Sequence, residues 1–190
     1  MEFRRYGAPA TPPVVKNLII INLLMLMASR MLPIGQYIYG YCALYPIDSP
    51  MFHSWQAVSY MFLHADFSHL FFNMFALWMF GRITEQALGS RHFLIYYLVC
   101  GVGAGFCQEL VQFGEYYIEN LHQYETVNTG SSIIPMEEFL RRWTTIGASG
   151  AVYGILLSFG FLFPNERIML LIPPIPMKAK YFVVGYAALE

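Results

Sequence analysis

Gly147-Ala148-Ser149-Gly150-Ala151-Val152-Tyr153-Gly154 opens an apolar run that continues to Phe163 and is stopped by Pro164. Read as a helix, the run sets Gly150 and Gly154 one turn apart. That is a G-x-x-x-G surface, on which a second helix can pack closely inside a membrane. Ser149 then counts as one more small residue of the same surface. A second reading gives it chemistry. Near a helix N-terminus, unpaired N–H groups and the helix dipole stabilise negative charge, which the oxyanion of acyl transfer requires. Tyr153, four residues on, shares the face of Ser149. The G-x-S-x-G elbow of soluble hydrolases is excluded, because position 151 is Ala151 and no strand precedes the helix. A serine here still needs a base to become nucleophilic.

Outward from this run, similar apolar segments predict further spans at about 13–33, 67–84 and 92–113, with the fourth at 147–163 and part of a fifth from Tyr181. A polar arm, 1–12, precedes them. Pro12 and Pro13 suit the first turn of a helix, where a backbone N–H is unsatisfied anyway. No small-x-small cleavage site follows the first run, so it reads as a span and not as a signal peptide, with Arg30 snorkelling toward the headgroups. Residues 34–63 mix Gly, Pro, Tyr and Phe with almost no charge, the composition of a loop at the membrane interface. From 114 to 145 the chain turns polar and acidic, an extramembrane insert in which Pro135-Met136-Glu137-Glu138 opens a short helix ending near Arg142. The loop after Pro164 carries Arg167, Pro173, Pro174, Pro176, Lys178 and Lys180.

Composition agrees. Of 190 residues, 57% are hydrophobic and only 12% charged, about half the charged share of a soluble domain. The net charge of -1 gives no electrostatic basis for nucleic-acid binding. Disorder and a soluble secreted scaffold are excluded too. An all-α polytopic membrane protein is the class that remains. Three cysteines, Cys42, Cys100 and Cys107, form no disulfide or metal framework. With the N-terminus cytoplasmic, that side collects Arg4, Arg5, Lys16, Arg82, Arg91, Arg167, Lys178 and Lys180, against Arg30, Arg141 and Arg142 opposite. The positive-inside rule therefore predicts a cytoplasmic N-terminus and an extracytoplasmic insert.

Polar side chains within spans are costly and ask for a reason. His69 and Asn73, four apart at the start of the second span, share a helix face. Alone, such a pair is readable as interhelical hydrogen bonding. In order along the chain, however, stand Trp55-Gln56-x-x-x-Tyr60-Met61-Phe62-Leu63-His64, Ser68-His69-x-x-x-Asn73, and Gly81-x-x-x-Glu85-x-x-Leu88-Gly89-Ser90. Gly147-x-Ser149-Gly150-x-x-x-Gly154 and Pro174-Ile175-Pro176-x-Lys178-x-Lys180-Tyr181 follow. Together these resemble the rhomboid intramembrane serine proteases, over nearly all of the chain from residue 12 apart from the insert.

The resemblance implies a rhomboid membrane domain over 13–190. Its six-helix bundle would be present here as about four and a half transmembrane helices, around a water-filled cavity open to the outside. Ser149 matches the nucleophile. His69 and Asn73, with the Ser149 N–H, match the oxyanion donors. Tyr153 matches the aromatic residue packed against the catalytic histidine, and Gly147, Gly150 and Gly154 the glycines that support the site. His64 matches a supporting position near the cavity, and Glu85 a structural, hydrogen-bonding residue of the inner turn. No cofactor or metal is implied. The implied partners are membrane lipid and single-pass transmembrane substrates cut near the outer face. A bacterial inner membrane is the implied location.

One part of the pattern is missing. The family's base is a histidine on the sixth span, yet His53, His64, His69, His92 and His122 all precede Ser149. Tyr181 to Glu190 supplies only about 15 Å of helix against a core of about 30 Å. The expectation is a chain truncated after residue 190, whose continuation carries the histidine. Two other readings predict different things. A catalytically inactive rhomboid-like factor would bind membrane proteins without cutting them. A transporter would need an ionisable residue at mid-membrane, and spans two to four have none at their centres, although Glu109 lies near the end of the third.

Overall fold

The computed structural model describes residues 11–169 and 176–187. Arg4 and Arg5 of the arm, Pro173 of the last loop, Pro174 and Ile175 of the last motif, and the final residues 188–190 lie outside the described residues.

Helix α1 (Pro13–Met31) starts on its proline. Val15, Leu18, Asn22 and Leu26 recur at three- and four-residue spacing and are buried. Ile20, Ile21, Leu23, Leu24 and Met27 are exposed on the other side, the outward apolar face that lipid covers. The aromatic segment expected to be a loop holds two short helices, α2 (Gly35–Cys42) and α3 (Gln56–Ser59), the second continued by a 3-10 turn, Tyr60–Phe62. Side chains fold this segment back on itself. Trp55 Nε1 donates to the Tyr41 carbonyl at 3.0 Å and Ser59 Oγ to that of Cys42 at 2.8 Å.

The second span is one helical run in three parts. α4 (Phe67–Ala76) passes through a π-helical stretch, Leu77–Gly81, into α5 (Arg82–Leu88). Near its end, the Glu85 carboxylate accepts from the N–H groups of Val14 at 3.1 Å and Val15 at 2.8 Å, and from Ser90 Oγ at 2.6 Å. It therefore caps the first turn of α1 and clamps it to the neighbouring turn. α6 (Ser90–Ile118) is 29 residues long, five past the expected end of the third span. Four of its buried positions, Phe93, Tyr97, Gly101 and Gly105, fall every four residues, and the fifth, Gln112, follows seven on.

The insert contains a small antiparallel hairpin, β1 (Thr126–Asn128) with β2 (Ile133–Pro135), followed by α7 (Met136–Arg142). Arg141 and Arg142 pair with Glu137 and Glu138 one turn back. α8 (Ser149–Leu162) comes next, then a second antiparallel hairpin, β3 (Arg167–Met169) with β4 (Pro176–Lys178), and α9 (Ala179–Ala187). Neither hairpin was expected from the sequence.

α8 packs on α6 through its glycines. A Cβ on Gly154 would lie 2.5 Å from Cys100 Sγ, and one on Gly150 would collide with Ala104. The small-residue surface read from the sequence is thus a real contact. Tyr96 adds a hydrogen bond from its hydroxyl to the Gly154 carbonyl at 2.9 Å. α1 and α6 are each long and apolar enough to cross a membrane. The architecture is an all-α polytopic membrane fold. The three cysteines are unpaired.

Candidate active site

At the start of α4, Asp66 is the N-cap and accepts the His69 N–H at 2.8 Å. Asp, Ser, Thr and Asn are favoured there because a short side-chain oxygen reaches an otherwise unpaired N–H. The cap fixes the turn that carries His69. The ring of His69 accepts at Nδ1 from the Ala65 N–H at 3.4 Å. By that bond the proton is assigned to Nε2, which becomes a donor. Arg30, on the last turn of α1, donates to the Ala65 carbonyl and holds the same loop. One turn on, Asn73 Nδ2 donates to the His69 carbonyl at 3.0 Å, which leaves its second N–H for another acceptor.

His64 lies edge-on to His69 with ring centroids 4.9 Å apart. It is only 1% exposed, and neither ring nitrogen has a partner among the described residues. Burial, with His69 nearby, pushes its pKa down to about 4. The ring is therefore neutral at physiological pH.

The approach to α8 is set from the other side. Thr145 and Leu44 exchange backbone hydrogen bonds at 2.8 and 3.1 Å, and the Gly147 N–H donates to the Tyr60 carbonyl at 3.0 Å. Tyr60 in turn donates its hydroxyl to the Gly101 carbonyl at 2.7 Å, and burial raises its pKa to about 12. Gly147 has φ +121°, and a Cβ there would lie 2.9 Å from His69 Cε1 and Nε2. Only glycine allows both that backbone turn and the approach of the imidazole. Two residues later Ser149 is the first residue of α8, exposed, and its hydroxyl makes no hydrogen bond to a described residue. The first-turn N–H groups of α8 have no intrahelical acceptor.

These pieces line one open cleft of about 550 Å³. Its polar wall is Asp66, Ser68, His69, Asn73 and Ser149, and its apolar wall Phe72, Ala76 and Val152. Tyr153 is half-buried on α8 and is not among the lining residues. Gly150 and Gly154 face α6, and Glu85 sits roughly 24 Å along the helical run from His69. The other histidines are elsewhere. His53 stacks on Trp55 at 4.2 Å, His122 packs near Tyr117 at 4.9 Å, and His92 is on the first turn of α6. Asp66 and Tyr60 were given no role in the sequence reading. An aspartate just before an apolar helical run was a legible capping signal; the reach of Tyr60 across to Gly101 and Gly147 had no local signature.

The sequence family described as "Rhomboid domain" matches residues 52–189. The chain is 30% identical over 115 residues to "Rhomboid protein 1, mitochondrial" of Saccharomyces cerevisiae, covering 60% of this chain and 27% of that protein. It is 29% identical over 116 residues to "Putative rhomboid protease YdcA" of Bacillus subtilis, covering 60% and 45%. Against "Rhomboid-like protein 11, chloroplastic" of Arabidopsis thaliana the identity is 30% over 139 residues, covering 73% and 38%. The matched stretch is thus less than half the length of each of these relatives.

Proposed function

Since this chain belongs to the rhomboid family, we propose that it serves an intramembrane serine protease that cleaves single-span membrane proteins near the outer face. Ser149 Oγ attacks the scissile carbonyl carbon while a histidine base takes its proton. The oxyanion that forms is held by the Ser149 N–H, the His69 Nε2–H and the second N–H of Asn73. Collapse expels the amine, protonated by the same histidine, and leaves an acyl-enzyme that water hydrolyses. Among the described histidines His69 alone lines the cleft and it serves as donor, so the base is a histidine that the described residues do not supply. Tyr153 would pack against that base. The enzyme would sit in a bacterial inner membrane with its N-terminus cytoplasmic and its cleft on the outer side.

The observation that carries this reading is the single cleft shared by Ser149, His69 and Asn73, parts of two helices about eighty residues apart. A polar, open cleft also admits the hydrolytic water that a lipid-facing surface would exclude. The test is labelling of the native protein in detergent with a fluorophosphonate serine-hydrolase probe. Labelling is expected at Ser149 and should vanish in Ser149→Ala. Labelling that persists in that variant discards Ser149 as the nucleophile.

A further inference from the structure

Past the far end of α8 from Ser149, the second hairpin sets Arg167 directly opposite Lys178. Their direction follows from strand alternation. Ile168 is buried in the core and its partner Met177 is half-buried, so Arg167 and Lys178 occupy the other, exposed face. Directly opposed residues in an antiparallel pair have Cβ atoms about 5 Å apart, and like charges there destabilise the ladder. Neither cation has an ion pair with a described residue, and nor does the adjacent Glu166; the described pairs are both in α7.

Beside this pair lies an open cleft of about 460 Å³, lined by Arg167, Pro176, Met177, Lys178 and Tyr181. α9, nine residues long, begins immediately after Lys178, and its first two N–H groups, on Ala179 and Lys180, are taken by the Glu166 and Pro164 carbonyls. Lys180 stands over the Tyr181 ring at 5.0 Å, a third cation at the rim. Two opposed cations without an ion pair to a described residue share one open cleft. We infer that this cleft binds an anionic phosphate group, one whose charge is not neutralised by an attached cation as it is in phosphatidylcholine. Arg167 offers a bidentate fork and Lys178 a point charge, the two ways in which proteins hold phosphate oxygens. The headgroup of an anionic phospholipid and free inorganic phosphate share this chemistry. Tyr181 and Val184, one turn apart, are 62% and 68% exposed. They carry an apolar strip away from the cleft, as an acyl chain beneath a bound headgroup would require.

Native mass spectrometry of the protein in neutral detergent tests this, by titration with phosphatidylglycerol and, separately, phosphatidylcholine. Phosphatidylglycerol should be retained preferentially. Each cation near an anionic lipid surface contributes roughly a fivefold change in affinity, so Arg167→Gln with Lys178→Gln should weaken retention about 30-fold. The charge-keeping exchange, Arg167→Lys with Lys178→Arg, should bind within a few fold of the native protein and controls for folding. Competition by millimolar inorganic phosphate would assign the site to phosphate as such, and resistance to it would assign the site to the lipid diester. Equal retention of the two lipids by the native protein overturns the inference. So does undiminished phosphatidylglycerol retention in the glutamine double variant.

Discussion

The helical run from Phe67 to Leu88 carries polar side chains at both ends, and the two ends treat them oppositely. At the Glu85 end, a carboxylate that is 2% exposed accepts from three donors and joins the starts of α1 and α6. At the other end, His69 and Asn73 each spend one polar group on the loop or helix that holds them and turn another toward an open cleft shared with Ser149. Both placements are costly in a membrane. The first offsets its cost with complete hydrogen bonding, and the result is rigidity. The second leaves donors unused in the resting protein, and that is what a transition state can exploit. A saturated, buried polar group builds the fold; an aimed, unsaturated one is free for the chemistry proposed for His69 and Asn73.

Substitutions at the two ends should therefore separate activity from stability. The largest effect is expected for Ser149→Ala, which should lower proteolysis by on the order of 10⁴-fold or more and leave the thermal midpoint nearly unchanged, because the side chain is exposed. Thermal unfolding alongside a substrate-cleavage assay reads both. A large drop in stability would mean that Ser149 belongs to the structural class after all. Glu85→Ala should do the reverse. Stripping three donors of one buried carboxylate should cost roughly 3 to 5 kcal/mol, while turnover per folded molecule, measured at low temperature, stays near the native value. Next in size are His69→Ala and Asn73→Ala, each expected to lower kcat about 10²-fold with KM little changed. Unchanged turnover in both would remove them from the oxyanion site and erase the contrast.

Much of this contrast was legible in the sequence. Lipid tolerates so few polar residues that each one inside an apolar run stood out, and His69, Asn73 and Ser149 were singled out by that rarity, whereas Glu85 came only through the resemblance to the rhomboid proteases. The helix-packing use of Gly150 and Gly154 was readable because four-residue spacing repeats on a helix face. What the sequence did not disclose depends on partners distant along the chain. The π-helical stretch at Leu77–Gly81 and the three-residue strands of the two hairpins are too short to carry a period of their own. That Gly147 makes room for the His69 ring, seventy-eight residues back in the sequence, follows only once α4 and α8 are side by side. The extension of α6 to Ile118 was masked by Gly114 and Glu115, which read as loop residues but sit in the helix.

His64 combines the two ends and so tests the division most finely. It is buried like Glu85, yet its ring nitrogens have no partner among the described residues, and it touches the chemistry only through the edge of the His69 ring. Its pKa falls from 6.5 to about 4 on folding, chiefly by burial. An unfolded chain therefore binds a proton at this histidine between those values while the folded protein refuses it, so stability must fall as pH drops through that window. From pH 7.5 to 5 the loss from this residue alone is about 2 kcal/mol, or roughly 5 °C in thermal midpoint. His64→Leu removes the titrating ring and keeps an apolar side chain, so its midpoint should hold across the same range relative to the native protein. If the variant loses stability on acidification as steeply as the native protein, His64 is not the group responsible. If instead the variant is acid-resistant but loses cleavage at pH 7.5 without unfolding, His64 acts through His69 and belongs with the cleft.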